Sequence, residues 1–207
     1  MDMKSKLAVM VAVAVVLVVL SFWLSWGLHV WGSVALLLQG CAVALVIWAF
    51  LARDGRPVGL LELVGKGFAV SFVLTLVLWF VSALVGGSWV YFSSVLWVFS
   101  IAFGFRILPY SLLPVAICVT AYGVSRKPLP AWMILLSSWY VSIYGVFAAY
   151  DVWWLVFIFP YLTGTPYFGG GGLIALDMLL VFLAFIAACV FTAIYAVLRR
   201  PKRSPPP

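Results

Sequence analysis

Five carboxylates and one histidine are all that this chain offers for acid–base or metal chemistry. Asp2 and Asp54 stand among lysines and arginines, and Glu62 lies in a short amphipathic stretch, so solvated surface positions account for all three. Asp151 and Asp177 differ, because each interrupts a long apolar run. His29, in WGLHVWG, stands between Trp26 and Trp31 and reads as an interfacial residue, with a pH-responsive or ligand-binding role as the alternative. A single histidine excludes bis-histidine haem ligation within one chain. No HExxH, GxSxG, GxxxxGK[ST] or helically spaced carboxylate pair occurs. Cys41, Cys118 and Cys189 lie far apart in apolar segments, without the spacing of a zinc site or a redox pair. The reading is accordingly of a protein without cofactor or metal and without a legible catalytic motif. The weakest functional alternative is an enzyme acting on a lipid or lipid-linked substrate, with Asp151 or Asp177 and His29 as acid and base.

What must position these groups follows from composition. Of 207 residues, 67% are hydrophobic and only 8% charged, against roughly 25% charged in soluble domains. A core of this length cannot hide that much apolar surface from water, so the surrounding medium is lipid. The 17% aromatic content, with 11 tryptophans, suits a chain that crosses membrane–water interfaces repeatedly. The net charge of +7 is read as a topology signal and as contact with anionic headgroups. Nucleic acid is set aside, because no basic helix face interleaved with exposed aromatics is present.

A membrane span needs about 20 apolar residues. Strong candidates are 7–26, 33–52, 67–86, 131–150 and 173–198. The first follows two lysines but exceeds the roughly 7–15 residues of a signal-peptide core, so it is expected to be retained as a span. Residues 88–107 and 107–124 are together too long for one crossing and cramped for two. Residues 152–167 are short, aromatic and broken by Pro160 and Pro166. The excess of Lys and Arg in cytoplasmic loops arbitrates. The fold class expected is an all-α polytopic bundle of six full transmembrane helices plus one or two partial or re-entrant segments, with eight spans as the alternative. Residues 1–198 would form a single transmembrane domain in the cell membrane, with both termini cytoplasmic. If 107–124 is the crossing stretch, Arg106 is the one basic residue outside. The piece 53–67 is expected to lie at the inner surface, and the tail 199–207, basic and proline-rich, to be disordered.

Four residues are candidates for binding a substrate: Asp177, Gln39, Arg106 and Asp151. Asp177 falls about five residues into the last span. At about 100° per residue it shares a face with Ala184 and Ala188, followed by Thr192 and Ala196, a small-residue stripe that lets helices approach closely. Gln39 lies about six residues below the outer end of the second span. Ser138 and Ser142 align with Gly145 and Ala149 on one face of 131–150. A charge inside a bilayer costs roughly 2.5–3.5 kcal/mol on insertion scales and normally faces the bundle or a water-filled cavity. Arg106 can pair with Asp177 only if 107–124 crosses.

Three readings follow. The first is a small transport protein, or the membrane subunit of a transport complex, binding a small polar or cationic solute in an outer-half cavity gated by the loop 159–172. The second is a structural or accessory subunit of a larger membrane complex. The enzyme is the third. Partners expected are membrane lipids, with other membrane subunits or a homo-oligomer also possible.

Overall fold

Backbone N–H and C=O groups in hydrocarbon must pair within the protein, and runs of Leu, Val and Ala achieve this as α-helix. The structure, a computed structural model, describes residues 3–24, 32–52, 59–85, 108–125, 128–157 and 170–199; of 3, 4, 32, 52, 79, 82–85, 154–157 and 170–177 it describes the backbone alone. These residues are all-helical, without strands. They form α1 (Met3–Phe22), α2 (Gly32–Ala52), α3 (Leu60–Val85), α4 (Leu108–Ser125), α5 (Ala131–Phe157) and α6 (Gly170–Leu198). Each of the six contains a stretch long and apolar enough to cross a membrane.

Of the two stretches that competed for the fourth crossing, the described residues include only the C-terminal one. Residues 107–124 supply the helix Leu108–Ser125, whereas 86–107, including Arg106, lie outside the described residues. The further crossings of an eight-span arrangement fall mostly on 86–107 and 158–169, also outside them.

Three boundaries differ from expectation. α3 begins at Leu60, so the stretch expected as a separate surface piece is its first two turns, carrying a Glu62–Lys66 ion pair at 2.5 Å. Gly65 and Gly67 each cost a helix about 1 kcal/mol. Burial of Leu63 beside Ile47, Val119 and Tyr122 favours the helix all the same. Gly67 also lets α3 approach α2, since a Cβ there would lie 3.3 Å from Ile47 Cγ2. α5 runs on to Phe157, which places Asp151 inside a helix rather than just past its end, and makes 152–157 its last turns. α6 begins at Gly170, so Gly170, Gly171 and Gly172 form its first turn and do not belong to a gating loop.

α2 is the central element, packed against α1, α3, α4 and α5. Its composition permits this, because Ala35, Gly40, Ala42, Ala44 and Ala49 present almost no side chain and are all buried. The closest approach is at Gly40, where a Cβ would stand 2.6 Å from Leu113 Cδ2 and 2.9 Å from its Cγ. α4 and α5 also pack on each other, so α2, α4 and α5 meet pairwise in a three-helix junction. α1 leans chiefly on α2 and α6 chiefly on α5.

The small-residue stripe of α6 is buried at Ala184 and Ala188, each 0% exposed, and continues through Leu180 and Tyr195 rather than through Ala196, which is exposed. It packs on α5, with Trp139 and Phe185 edge to face at 5.4 Å.

Gly40→Val is expected to lower stability by about 1–3 kcal/mol through overpacking against Leu113, read as a reduced thermal midpoint in detergent. Adding Leu113→Ala should recover part of the loss. Gly145→Ala, where a Cβ would meet nothing within 4 Å, should leave the midpoint unchanged or raise it slightly.

Candidate functional site

Polar side chains on α5 recur at Ser137, Tyr140, Tyr144 and Asp151. At about 100° per residue these four fall within about 60° of one another. At 1.5 Å per residue they span about 21 Å of helix. The face they define looks into the junction with α2 and α4, as their partners show.

Near the end of the bundle where Arg199 lies, Thr120 Oγ1 of α4 donates to Ser137 Oγ at 2.9 Å. Ser137 Oγ–H in turn donates to Ile134 O at 3.3 Å. Farther along, Tyr140 Oη–H donates to Pro109 O at 2.6 Å. Tyr144 meets Tyr110 of α4 edge to face at 6.4 Å, and its ring lies 5.6 Å from that of Tyr140.

These contacts converge where α4 is least able to bond itself. Pro114 has no N–H, so the Tyr110 carbonyl four residues earlier loses its helical donor. Side chains of two neighbouring helices reach the carbonyls on either side of it. Tyr140 donates to Pro109 O, and Ser71 of α3 donates to Ser111 O at 2.7 Å. Ser71 and Ser111 are both fully buried. Neighbouring helices complete a proline-broken turn in this way where no water is available.

Asp151 occupies the far end of the face. Its Oδ2 accepts the Ser33 backbone N–H at 3.3 Å. Ser33 lies in the first turn of α2, where backbone N–H groups have no helical partner. A carboxylate from one helix thus caps the N-terminus of another, where the helix dipole favours negative charge. Among the described residues the one ion pair is Lys66–Glu62. Asp151 therefore meets a backbone hydrogen-bond donor there but no cation.

The four residues singled out from sequence fare differently. Asp151 is half-buried and bonded as above. Gln39 is half-buried on α2 and has no hydrogen bond to Asp151 or to any other described residue. Arg106 lies outside the described residues, as does the Asp177 side chain, so their pairing lies outside them too. The Asp177 backbone belongs to α6. Trp139 against Phe185 and Leu129 against Tyr195 fit one antiparallel register. In that register position 177 stands level with Phe147, about 6 Å along α5 from Asp151. His29 is outside the described residues.

The sequence reading aligned Ser138, Ser142, Gly145 and Ala149 on one face of α5 and did not single out the face of Ser137. Ser138 is buried and bonds Leu135 O at 3.2 Å, but Ala149 is exposed. The face that meets α2 and α4 is that of Ser137. Its signal was the 3–4–7 spacing of hydroxyl and carboxylate residues, with two tyrosines as members rather than as interfacial aromatics. Among the described residues no group of three His, Cys, Asp or Glu side chains could hold a metal ion.

Comparison of the chain with protein-family models, with curated proteins and with solved structures finds no match.

Asp151→Ala should cost about 0.5–2 kcal/mol, the usual range for losing an N-cap. Asp151→Asn, which keeps an acceptor for Ser33, should lose less. Equal loss in both variants would assign the effect to charge rather than to capping.

Proposed function

We propose that this chain is a small transport protein of the cell membrane, or the membrane subunit of a transport complex, that takes a small polar or cationic solute along the polar face of α5. The observation that carries this reading is Asp151. A carboxylate bonded only to Ser33 among the described residues sits at the end of a 21 Å row of hydroxyls (the row length is about 14 residues at 1.5 Å). It is placed to attract a cation or a dipolar solute and to exchange its bond with Ser33 for one to the solute. The phenols of Tyr140 and Tyr144 offer the next polar surface, at the proline-broken turn of α4. Gln39 and Asp177 belong to the same reading as additional polar groups of that half of the bundle.

Orientation follows from charge. With 107–124 as the fourth crossing, every lysine and arginine except Arg106 falls on the side of the two termini. That side is cytoplasmic by the bias of Lys and Arg toward cytoplasmic loops. Asp151 then faces the exterior.

The test is uptake into liposomes carrying the purified chain, using a panel from sodium to tetraethylammonium together with uncharged polyols. Saturable uptake of one class is expected, falling at least tenfold in Asp151→Asn and several-fold in Tyr144→Phe, each assayed well below its own thermal midpoint. Uptake of the whole panel no faster than in protein-free liposomes would remove the reading.

An accessory subunit is the second reading. It is favoured by the wide apolar surfaces of α1 and α6, where Val15, Val16 and Val19, and Phe182, Val190 and Ile194, are all more than half exposed. Native mass measurement after mild extraction separates the two. A stable monomer that transports supports the first reading, and co-purification with a fixed partner supports the second.

A further inference from the structure

The face of α5 that meets α4 carries aromatic rings as well as hydroxyls, and the rings lead up to the carboxylate. Tyr140, Tyr144, Phe147 and Asp151 follow one another at intervals of four, three and four residues. At about 100° per residue all four lie within about 60° of one another. At 1.5 Å per residue the steps between them are about 6, 4.5 and 6 Å. A ring or a charge therefore recurs on this face at about every turn. Phe147 has no hydroxyl, so a row built only to hydrogen-bond would not need it. What positions 140, 144 and 147 share is the ring.

Three rings gather at the inner end of this face. The Tyr144 ring stands 5.6 Å from that of Tyr140, inclined at 59°, and 6.4 Å from that of Tyr110 on α4, inclined at 64°. Rings stacked in parallel would cover one another's faces, whereas rings inclined this steeply stand as the walls of a box. Tyr110, Tyr140, Tyr144 and Phe147 are all half-buried, so none of the four is sealed in the core. The Tyr140 ring is held by its bond to Pro109 O at 2.6 Å. Tyr110 stands on the turn of α4 that Pro114 leaves short of a donor. Walls fixed in advance by their own packing lower the ordering cost of binding.

The chemistry of these walls favours one class of cation. The face of an aromatic ring is negative and attracts an ammonium group within about 6 Å of its centroid, more strongly once water is excluded. A small metal ion is served less well. Hard cations take about six or more oxygen ligands, whereas the neighbour of the Asp151 carboxylate is the Ser33 N–H, a donor. An uncharged polyol would use the hydroxyls and leave the rings and the carboxylate idle. An organic ammonium ion spreads its charge over apolar groups and suits both the carboxylate and the rings.

We propose that Tyr110, Tyr140, Tyr144 and Phe147 form an aromatic cage for an organic ammonium cation, which Asp151 draws in by charge and the ring faces then hold. The proposal rests on the transport reading for its site and names the class of solute. It also makes Tyr110 and Phe147 binding residues, which the row of hydroxyls did not include.

The experiment measures equilibrium binding to the full chain in mild detergent, with labelled tetraethylammonium as the probe. The competitors are choline, the uncharged analogue of choline with carbon in place of nitrogen, sodium and a polyol. Choline should displace the probe, and the uncharged analogue should be weaker by about tenfold or more. Tyr110→Leu and Phe147→Leu should each weaken probe binding by about five- to thirtyfold. The weak affinity for the uncharged analogue should not change, so the ratio of the two falls. Lost packing alone would lower both together. Tyr110→Phe, which keeps the ring, should recover most of the affinity. Phe185→Leu removes a ring that packs on the opposite side of α5 and should bind the probe as the wild type does. Each variant is measured well below its own thermal midpoint. A cation-to-neutral ratio unchanged in both leucine variants, or displacement by sodium as effective as by choline, overturns the proposal. The cage and the transport reading fail separately. Saturable uptake of sodium or a polyol without ammonium binding removes the cage and leaves transport, and ammonium binding without uptake does the reverse.

Discussion

A hydrogen-bonding group inside a bilayer has only protein to bond to, and the arrangement of α2, α4 and α5 follows from that limit. α4 carries a proline seven residues into an 18-residue helix, which leaves its first turns short of backbone donors. In water such a turn would be hydrated. Here Tyr140 and Ser71 reach it from either side. For those reaches to be possible the helices must approach closely, and α2 allows it by presenting glycine and alanine to its neighbours. A larger residue at Gly40 would push α4 outward and withdraw its carbonyls from both donors.

The same limit makes a polar face on a membrane helix informative. Ser137 and Tyr140 each have a partner across a helix interface, and interhelical bonds of this kind contribute about 0.6 kcal/mol on average. Serine and threonine hydroxyls suit that modest role. Asp151 exceeds it, since a carboxylate is costly to hold away from water and an asparagine or serine would cap α2 without that cost. The functional reading rests on this excess. At the opposite end Arg199 makes the complementary arrangement, a cation on the C-terminus of α4. The bundle is thus closed at its two ends by caps of opposite sign, each supplied from another helix.

Much of the fold was legible in the sequence because a bilayer fixes the length of what crosses it. Runs of about 20 apolar residues stood out at the helices α1, α2, α3, α5 and α6 without reference to packing. The boundaries were less legible, because whether Gly65 and Gly67 end a helix depends on whether Leu63 finds a core, and that core comes from α2 and α4. Asp151 fell just past the expected end of the span 131–150 because its charge interrupts the apolar run. Its partner there is Ser33, which is 118 residues away. The polar face itself was written in the spacing of Ser137, Tyr140, Tyr144 and Asp151. It was passed over because tyrosines in membrane helices ordinarily mark the interface, and only contacts with Pro109 and Tyr110 show them in the interior.

The central claim is that the polar face of α5, from Asp151 inward, is the path open to solute. The most direct measurement is the reaction of a membrane-impermeant thiol reagent with single cysteines placed in turn at 139 to 152 in a chain whose Cys41, Cys118 and Cys189 are replaced by alanine. The account predicts labelling at 144, 148 and 151 with a helical period, fading toward 140, and protection by the transported solute. Labelling confined to positions beyond 151, or strongest on the Trp139 face that packs against α6, would contradict it.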